Sequence, residues 1–183
     1  HAFDRDLLKG NQISVRSGKG EKMTAIDGRE YELTPEMLVI ADEEVPVAIA
    51  GVMGGKDSEV HEGTQNILLE SASFDRISIR RTSRKLGLIS DSSYRFERGV
   101  DWATVDWASQ RAAQLMAELA GGTVLSGVVD VSRPAPEITP ISFRPERVAR
   151  VLGMKISAAR IEEILKGIGN YFPLLMKIEV QIF

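Results

Sequence analysis

The clearest periodic signal lies at residues 103–120. Val105, Ala108, Ala112, Leu115, Met116 and Leu119 stand at i, +3, +7, +10, +11 and +14, the spacing that gathers apolar side chains into one helical stripe. Gly121-Gly122 ends the pattern. The stripe reads as core packing, and Trp102 and Trp107 at its start read as packing residues too. Period two takes over elsewhere. Short alternating runs flank Asp27-Gly28, a dipeptide suited to the positive φ angles of a tight turn, and predict a β-hairpin. Met37–Ala41 and Val45–Ala50 are unbroken apolar runs separated by Asp42-Glu43-Glu44, and predict adjacent buried strands. Asn66–Ala72 is a further strand candidate with Glu70 near its end, and Thr123–Val131 is expected to return as a strand. Asp75 can cap a helix to Lys85, with Gly87 as its stop.

Pro134, Pro136 and Pro140 crowd a stretch that suits an extended connector. A boundary at 133–140 therefore divides residues 1–132 from 141–183. In the second part Pro145 opens a helix carrying Val148, Val151 and Leu152 and stopped by Gly153. Ser157 caps another through Leu165 or Lys166, with Glu162 and Lys166 as an i,i+4 pair. With the apolar stretch Tyr171–Phe183, these form a partial small helical α+β module. The predicted class is α/β or α+β: a mixed sheet or sandwich with flanking helices, then that module.

Composition narrows the chemistry. At 183 residues the chain is one large domain or one domain plus part of another. The absence of cysteine excludes disulfide and thiolate chemistry. His1 and His61 are the only histidines, which argues against a histidine metal site, and no metal is expected. No apolar run approaches the roughly 18 residues of a membrane span, so no membrane partner is expected and a cytoplasmic setting fits. Because the chain starts at His1 rather than Met, it is expected to be a fragment, a processed chain or a trimmed form of one.

Charge is uneven. From Arg76 to Arg98 seven basic residues face two acids, about +5, in a chain of net −3. Such an excess attracts polyanions, although a solvated helix face is the alternative.

Several segments, in order and in register, resemble the β subunit of bacterial phenylalanyl-tRNA synthetase. They are His1-Ala-Phe-Asp4, Ala48-Ile-Ala-Gly-Val-Met-Gly-Gly55, Asn66-Ile-Leu-Leu-Glu-Ser-Ala72 and Arg80–Asp101. Residues 1 to about 132 are similar to its B3/B4 editing region, and Phe143–Gly153 to the start of its B5 module. The resemblance covers the chain to about residue 168; the tail after Asn170 does not match.

The resemblance implies hydrolysis of tyrosine wrongly attached to tRNA(Phe). An apolar synthetic pocket cannot strongly reject one added hydroxyl, so a second site must recognise it. Glu70 matches the carboxylate that accepts the phenol hydrogen bond; the competing role is a strand-end carboxylate paired to an arginine. Gly54 and Gly55 match a pocket wall, and their N–H groups are candidates for facing the tetrahedral oxyanion; a plain turn is the alternative. His1 matches a histidine at the pocket mouth that contacts the terminal adenosine or orients water.

Ser90 and Ser92 fall where small residues line the amino-acid pocket. No histidine adjoins them in sequence, which argues against a serine nucleophile. Arg80, Arg81, Arg84 and Lys85 are candidates for tRNA phosphates, while Arg95 and Arg98 can pair with Glu97, Asp91 or Asp101. The implied whole enzyme attaches phenylalanine using ATP and Mg²⁺ as an α2β2 assembly with an α subunit. This chain itself is expected to need no cofactor. Two further readings stand beside editing: a non-catalytic tRNA-binding or scaffold module, and a free-standing relative with another ligand.

Overall fold

The computed structural model describes residues 1–10, 12–131, 139–167 and 178–182. They form two compact units, His1–Ser126 and Gly127–Phe183. The first holds eight strands: β1 (Ala2–Asp4), β2 (Ser14–Ser17), β3 (Glu21–Thr24), β4 (Glu30–Leu33), β5 (Leu38–Ala41), β6 (Pro46–Ile49), β7 (Met53–Gly54) and β8 (Ile67–Leu69). Three helices follow: α1 (Arg76–Leu86), α2 (Asp91–Phe96) and α3 (Val105–Ala120). The sheets run β2-β5-β6-β7, β3-β4 and β1-β8, and every pairing is antiparallel. The class is therefore α+β.

The continuity of the two apolar runs has a direct cause. β5 and β6 pair Val39 with Ile49 and Ile40 with Ala48, and each face of this pair is covered. Val39 and Ile49 pack with Met23, Leu33, Val52 and Ile79, whereas Ile40 and Ala48 pack with Phe3, Val47 and Ala50. A strand buried on both sides has no polar face to alternate with. Each fully buried aliphatic here is worth ~1.5–3 kcal/mol.

Asp42, predicted only as a separator, is a buried hinge between these strands. Its carboxylate accepts the N–H groups of Lys9 (2.8 Å), Glu44 (2.9 Å) and Val45 (2.8 Å). Burial pushes its carboxyl up, but the hydrogen bonds from Val45, Lys9 and Glu44 outweigh it and hold the group below its ordinary value. A depressed folded pKa gives stability that is complete above the unfolded value and is lost as pH falls through the folded one. Asp42→Ala should therefore cost about 1–3 kcal/mol near neutral pH. Denaturant titrations at neutral and acid pH should show the gap to wild type narrowing in acid.

Local punctuation behaves as its chemistry requires. The Asp27-Gly28 hairpin joins β3 to β4 in the register Thr24 opposite Glu30. Asp75 accepts the Ser78 N–H at 2.8 Å at the start of α1, and Gly87 ends it at φ 62°. Gly121 closes α3 at φ 70°.

Three expectations fail. No strand forms over 121–131. Val124, Leu125, Val128, Val129 and Val131 stay exposed, and Gly127 turns the backbone to φ 97°. Apolar residues cannot hold an extended strand without a partner edge for their N–H and C=O groups. α3 forms, yet buries none of its residues: its stripe is half-buried at Val105, Ala112, Leu115 and Met116, while Ala108 and Leu119 are exposed. Trp102 and Trp107 are exposed as well, Trp107 at 68 %, and are not core packing residues.

In the second unit β9 (Thr139–Phe143) pairs antiparallel with β10 (Ile178–Ile182), and between them lie α4 (Pro145–Leu152) and α5 (Ala158–Gly167). Gly153 caps α4 at φ 70°. Lys166 pairs with Glu162 at 2.5 Å. Residues 133–138 of the expected connector and residues 170–177 of the apolar tail lie outside the described residues, and Thr139 and Pro140 open β9.

Candidate functional site

Glu70 is placed by strand pairing. β8 runs beside β1 with Ala2 opposite Leu69, so the next rung sets Glu70 opposite His1. The Glu70 N–H donates to the His1 carbonyl at 2.8 Å, and the His1 nitrogen donates to the Glu70 carbonyl at 2.8 Å. The backbone is thus fixed, while the carboxylate is left open. Its side chain is 22 % exposed. Burial pushes the Glu70 carboxyl above its ordinary value. The arginine pair considered from sequence does not form among the described residues; every arginine ion pair there uses another carboxylate.

The His1 ring meets Phe3 edge-on, with centroids 4.6 Å apart. Its other neighbour is Gly54: a methyl group built there would overlap the imidazole, 2.5 Å from Nε2. Gly54→Ala should therefore displace the ring. Because this is the tip of an exposed side chain, the stability change should stay below about 1 kcal/mol. NMR should show the His1 ring protons losing the shift imposed by Phe3, with the unfolding midpoint nearly unchanged.

Gly55 behaves differently from the sequence expectation. Its N–H donates to the Val47 carbonyl at 2.7 Å, so it is committed to the sheet and unavailable to an oxyanion. The absence of its side chain has a packing cause, since a Cβ would stand 2.7 Å from the Val47 carbonyl oxygen.

Ser90 and Ser92 fasten α2 to the turn before β7. Ser90 caps α2 by accepting the Ser93 N–H at 3.0 Å, and its hydroxyl donates to the Val52 carbonyl at 2.6 Å. The Ser92 hydroxyl donates to the Gly51 carbonyl at 3.1 Å. Each hydroxyl proton is therefore committed.

Arg80, Arg81 and Arg84 are exposed on α1, opposite its buried face of Ile79, Thr82 and Ser83. None of the three forms an ion pair among the described residues. Lys85, by contrast, binds Glu36 and Thr34, both at 3.0 Å. The Thr34 and Lys85 hydrogen bonds bring the Glu36 carboxyl down to about 2. Arg98 pairs with Glu97 at 2.7 Å, and Arg95 donates to the Asp91 carbonyl at 3.2 Å.

A family model described as the B3/4 domain matches residues 1–121. The chain belongs to the B3/4 domain family. Over 167 residues it is 55% identical to the phenylalanine–tRNA ligase beta subunit of Moorella thermoacetica, covering 91% of this chain and 21% of that protein. The corresponding subunit of Rhodopirellula baltica is 48% identical over 170 residues, 92% of this chain and 25% of the relative. That of Symbiobacterium thermophilum is 50% identical over 171 residues, 92% and 19%. The chain thus spans about a fifth to a quarter of the length of these curated relatives.

Within the B3/4 domain, two supports stand behind the candidate residues. Gly51, at φ 66°, carries the carbonyl that Ser92 holds, in a Gly51–Gly55 run whose glycines permit the tight turn seen here. Ser71 donates to the Val105 carbonyl at 2.8 Å and ties the end of β8 to α3, a link no local pattern announces. A cavity of about 340 Å³ is lined by Lys9, Asp42, Glu44, Asp57, Ser58 and others. Gly55 is the one candidate residue on its wall, and Glu70 is not part of it.

No helix among the described residues is long and apolar enough to cross a membrane.

Proposed function

We propose that this B3/4 domain is the editing module of a phenylalanine–tRNA ligase β subunit and hydrolyses tyrosine mischarged onto tRNA(Phe). The observation that carries this reading is the Glu70 carboxylate. It is largely buried, beside His1, whose ring lies on Gly54, and no donor of the protein reaches it within hydrogen-bond distance among the described residues. A partly desolvated carboxylate gains from a charge-assisted O–H donor, and a tyrosine phenol is such a donor. Phenylalanine offers none.

In the reaction, water adds to the ester carbonyl carbon, the carbon–ribose oxygen bond breaks, and the ribose oxygen takes a proton. Free tyrosine and uncharged tRNA leave. His1 positions the water or the terminal adenosine. With the Gly55 N–H engaged by Val47, the oxyanion takes its donors elsewhere. Ser90 and Ser92 shape the wall by holding α2 against the turn, and no protein nucleophile is required. Arg80, Arg81 and Arg84 meet tRNA phosphates, whereas Lys85 contributes less because Glu36 holds it.

The whole protein would attach phenylalanine to tRNA(Phe) with ATP and Mg²⁺, alongside an α subunit, in the cytoplasm. Residues from about 141 would open a B5 module. A binding-only scaffold role is favoured by one observation, the engaged Gly55 N–H.

The test is hydrolysis of preformed Tyr-tRNA(Phe) by this chain, with Phe-tRNA(Phe) as the control ester. Selective loss of the tyrosyl ester supports editing. No turnover by the folded chain overturns it for this chain and leaves the binding role.

A further inference from the structure

The short helix α2 carries a feature the proposed hydrolysis does not use. The Arg98 guanidinium lies 3.5 Å over the centroid of the Tyr94 ring. It is held there by donating from Nη1 to the Tyr94 carbonyl and to Glu97 Oε1, both at 2.7 Å. The stack is therefore fixed in place, and Tyr94 is 54 % exposed. Ile89, just before the Ser90 cap, is 84 % exposed. An apolar residue at that position ordinarily packs on the residue where Tyr94 stands, yet here both remain open.

α2 packs against α1, whose Arg80, Arg81 and Arg84 are exposed. One turn back along α2, Ser90 and Ser92 hold the Gly51–Val52 turn that leads into Gly54. A flat aromatic and guanidinium surface suits the unpaired bases of a single strand, whose faces take the stack, while the exposed arginines of the adjoining helix offer charge to its phosphates. A duplex, with its bases already stacked, would use only the charge.

We propose that the Tyr94–Arg98 pair is a stacking platform for an unpaired base of single-stranded RNA. Under the proposed function that strand is the tRNA acceptor end, so the identity of the RNA rests on that reading. The stacking chemistry does not.

The experiment uses this chain with a fluorescein-labelled single-stranded RNA ending in CCA, uncharged, and an RNA duplex of matching length. Tyr94→Leu should weaken single-strand binding roughly 5- to 100-fold, leaving duplex binding and the salt slope unchanged. Arg98→Lys should weaken it in the same direction although the charge is kept. Arg84→Ala should instead lower the salt slope by about one. In the unmutated chain the Tyr94 ring protons should move upfield as single strand is added, a readout that needs no variant to fold.

The proposal is overturned if the ring protons do not move, if Tyr94→Leu binds single strand as wild type does, or if single strand and duplex weaken together. Because the RNA carries no ester, failure here and failure of hydrolysis are separate results.

Discussion

Glu70→Ala is expected to cut hydrolysis of Tyr-tRNA(Phe) by about 10- to 100-fold, the equivalent of a charged hydrogen bond worth ~1.5–3 kcal/mol, and to leave the background with Phe-tRNA(Phe) unchanged. The asymmetry follows from the contact itself. Only the tyrosyl substrate has an O–H for the carboxylate to accept, so only that substrate loses by its removal. A measured kcat/KM ratio for the two esters checks it, and an equal loss for both would assign Glu70 a merely structural role.

The same residue should show the opposite sign in stability. Burial raises the folded pKa of Glu70. A raised folded pKa means that the group favours folding below its unfolded value and that this contribution is lost as pH rises through the folded value. At neutral pH the ionised carboxylate therefore opposes folding, and Glu70→Gln should unfold at a higher temperature than wild type. The difference should shrink as the solution is acidified. A variant that gains stability while losing discrimination is the signature of a group kept for a ligand rather than for the fold.

The second large effect is expected at Gly51. Gly51→Ala should destabilise the His1–Ser126 unit by about 2–5 kcal/mol, from two additive causes. The backbone there has φ 66°, a conformation that costs a side-chain-bearing residue ~1–2 kcal/mol. A Cβ would also stand 2.9 Å from both Ile79 Cδ1 and Phe74 Cδ2 and 3.2 Å from Phe96 Cδ2. Phe74 and Phe96 pack on one another at 5.1 Å and belong to the margin of the core, so neither yields freely. Gly28→Ala is the natural comparison. It has φ 80° with open space around its Cβ direction, and should show the conformational cost alone. The difference between the two denaturation free energies then measures the overlap. Equal costs would show that the aromatic pair moves aside and that the turn does not depend on it.

Much of the fold was legible because its causes are local. Asp27-Gly28 makes its hairpin, Asp75 and Gly87 bound α1, and Pro145 and Gly153 bound α4 through the φ angles and hydrogen bonds of the residues themselves. The unbroken runs at 38–41 and 46–49 announced burial on both faces. The run at 123–131 misled for the same reason: its composition suits a strand, but strand formation depends on a partner edge, which composition does not contain. The half-buried stripe of α3 shows the same limit, since periodicity says which side chains share a face and not what covers it.

By itself the sequence determined the bounds of α1 and α4, which runs pair as neighbours along the chain, and which family the motifs resemble; α2, at Asp91–Phe96, was not read from it. Only the tertiary structure decided that Glu70 stands opposite His1, that the His1 ring lies on Gly54, that the Gly55 N–H is already engaged, and that Lys85 but not Arg84 is neutralised. Short-range sterics and capping bonds act within a few residues and leave a mark in the local order of amino acids. Contacts such as Glu70 with His1 join residues 69 positions apart, and they exist because two strand edges met to satisfy their backbone groups and bury Phe3 between them and the sheet, an outcome that belongs to the whole folded unit.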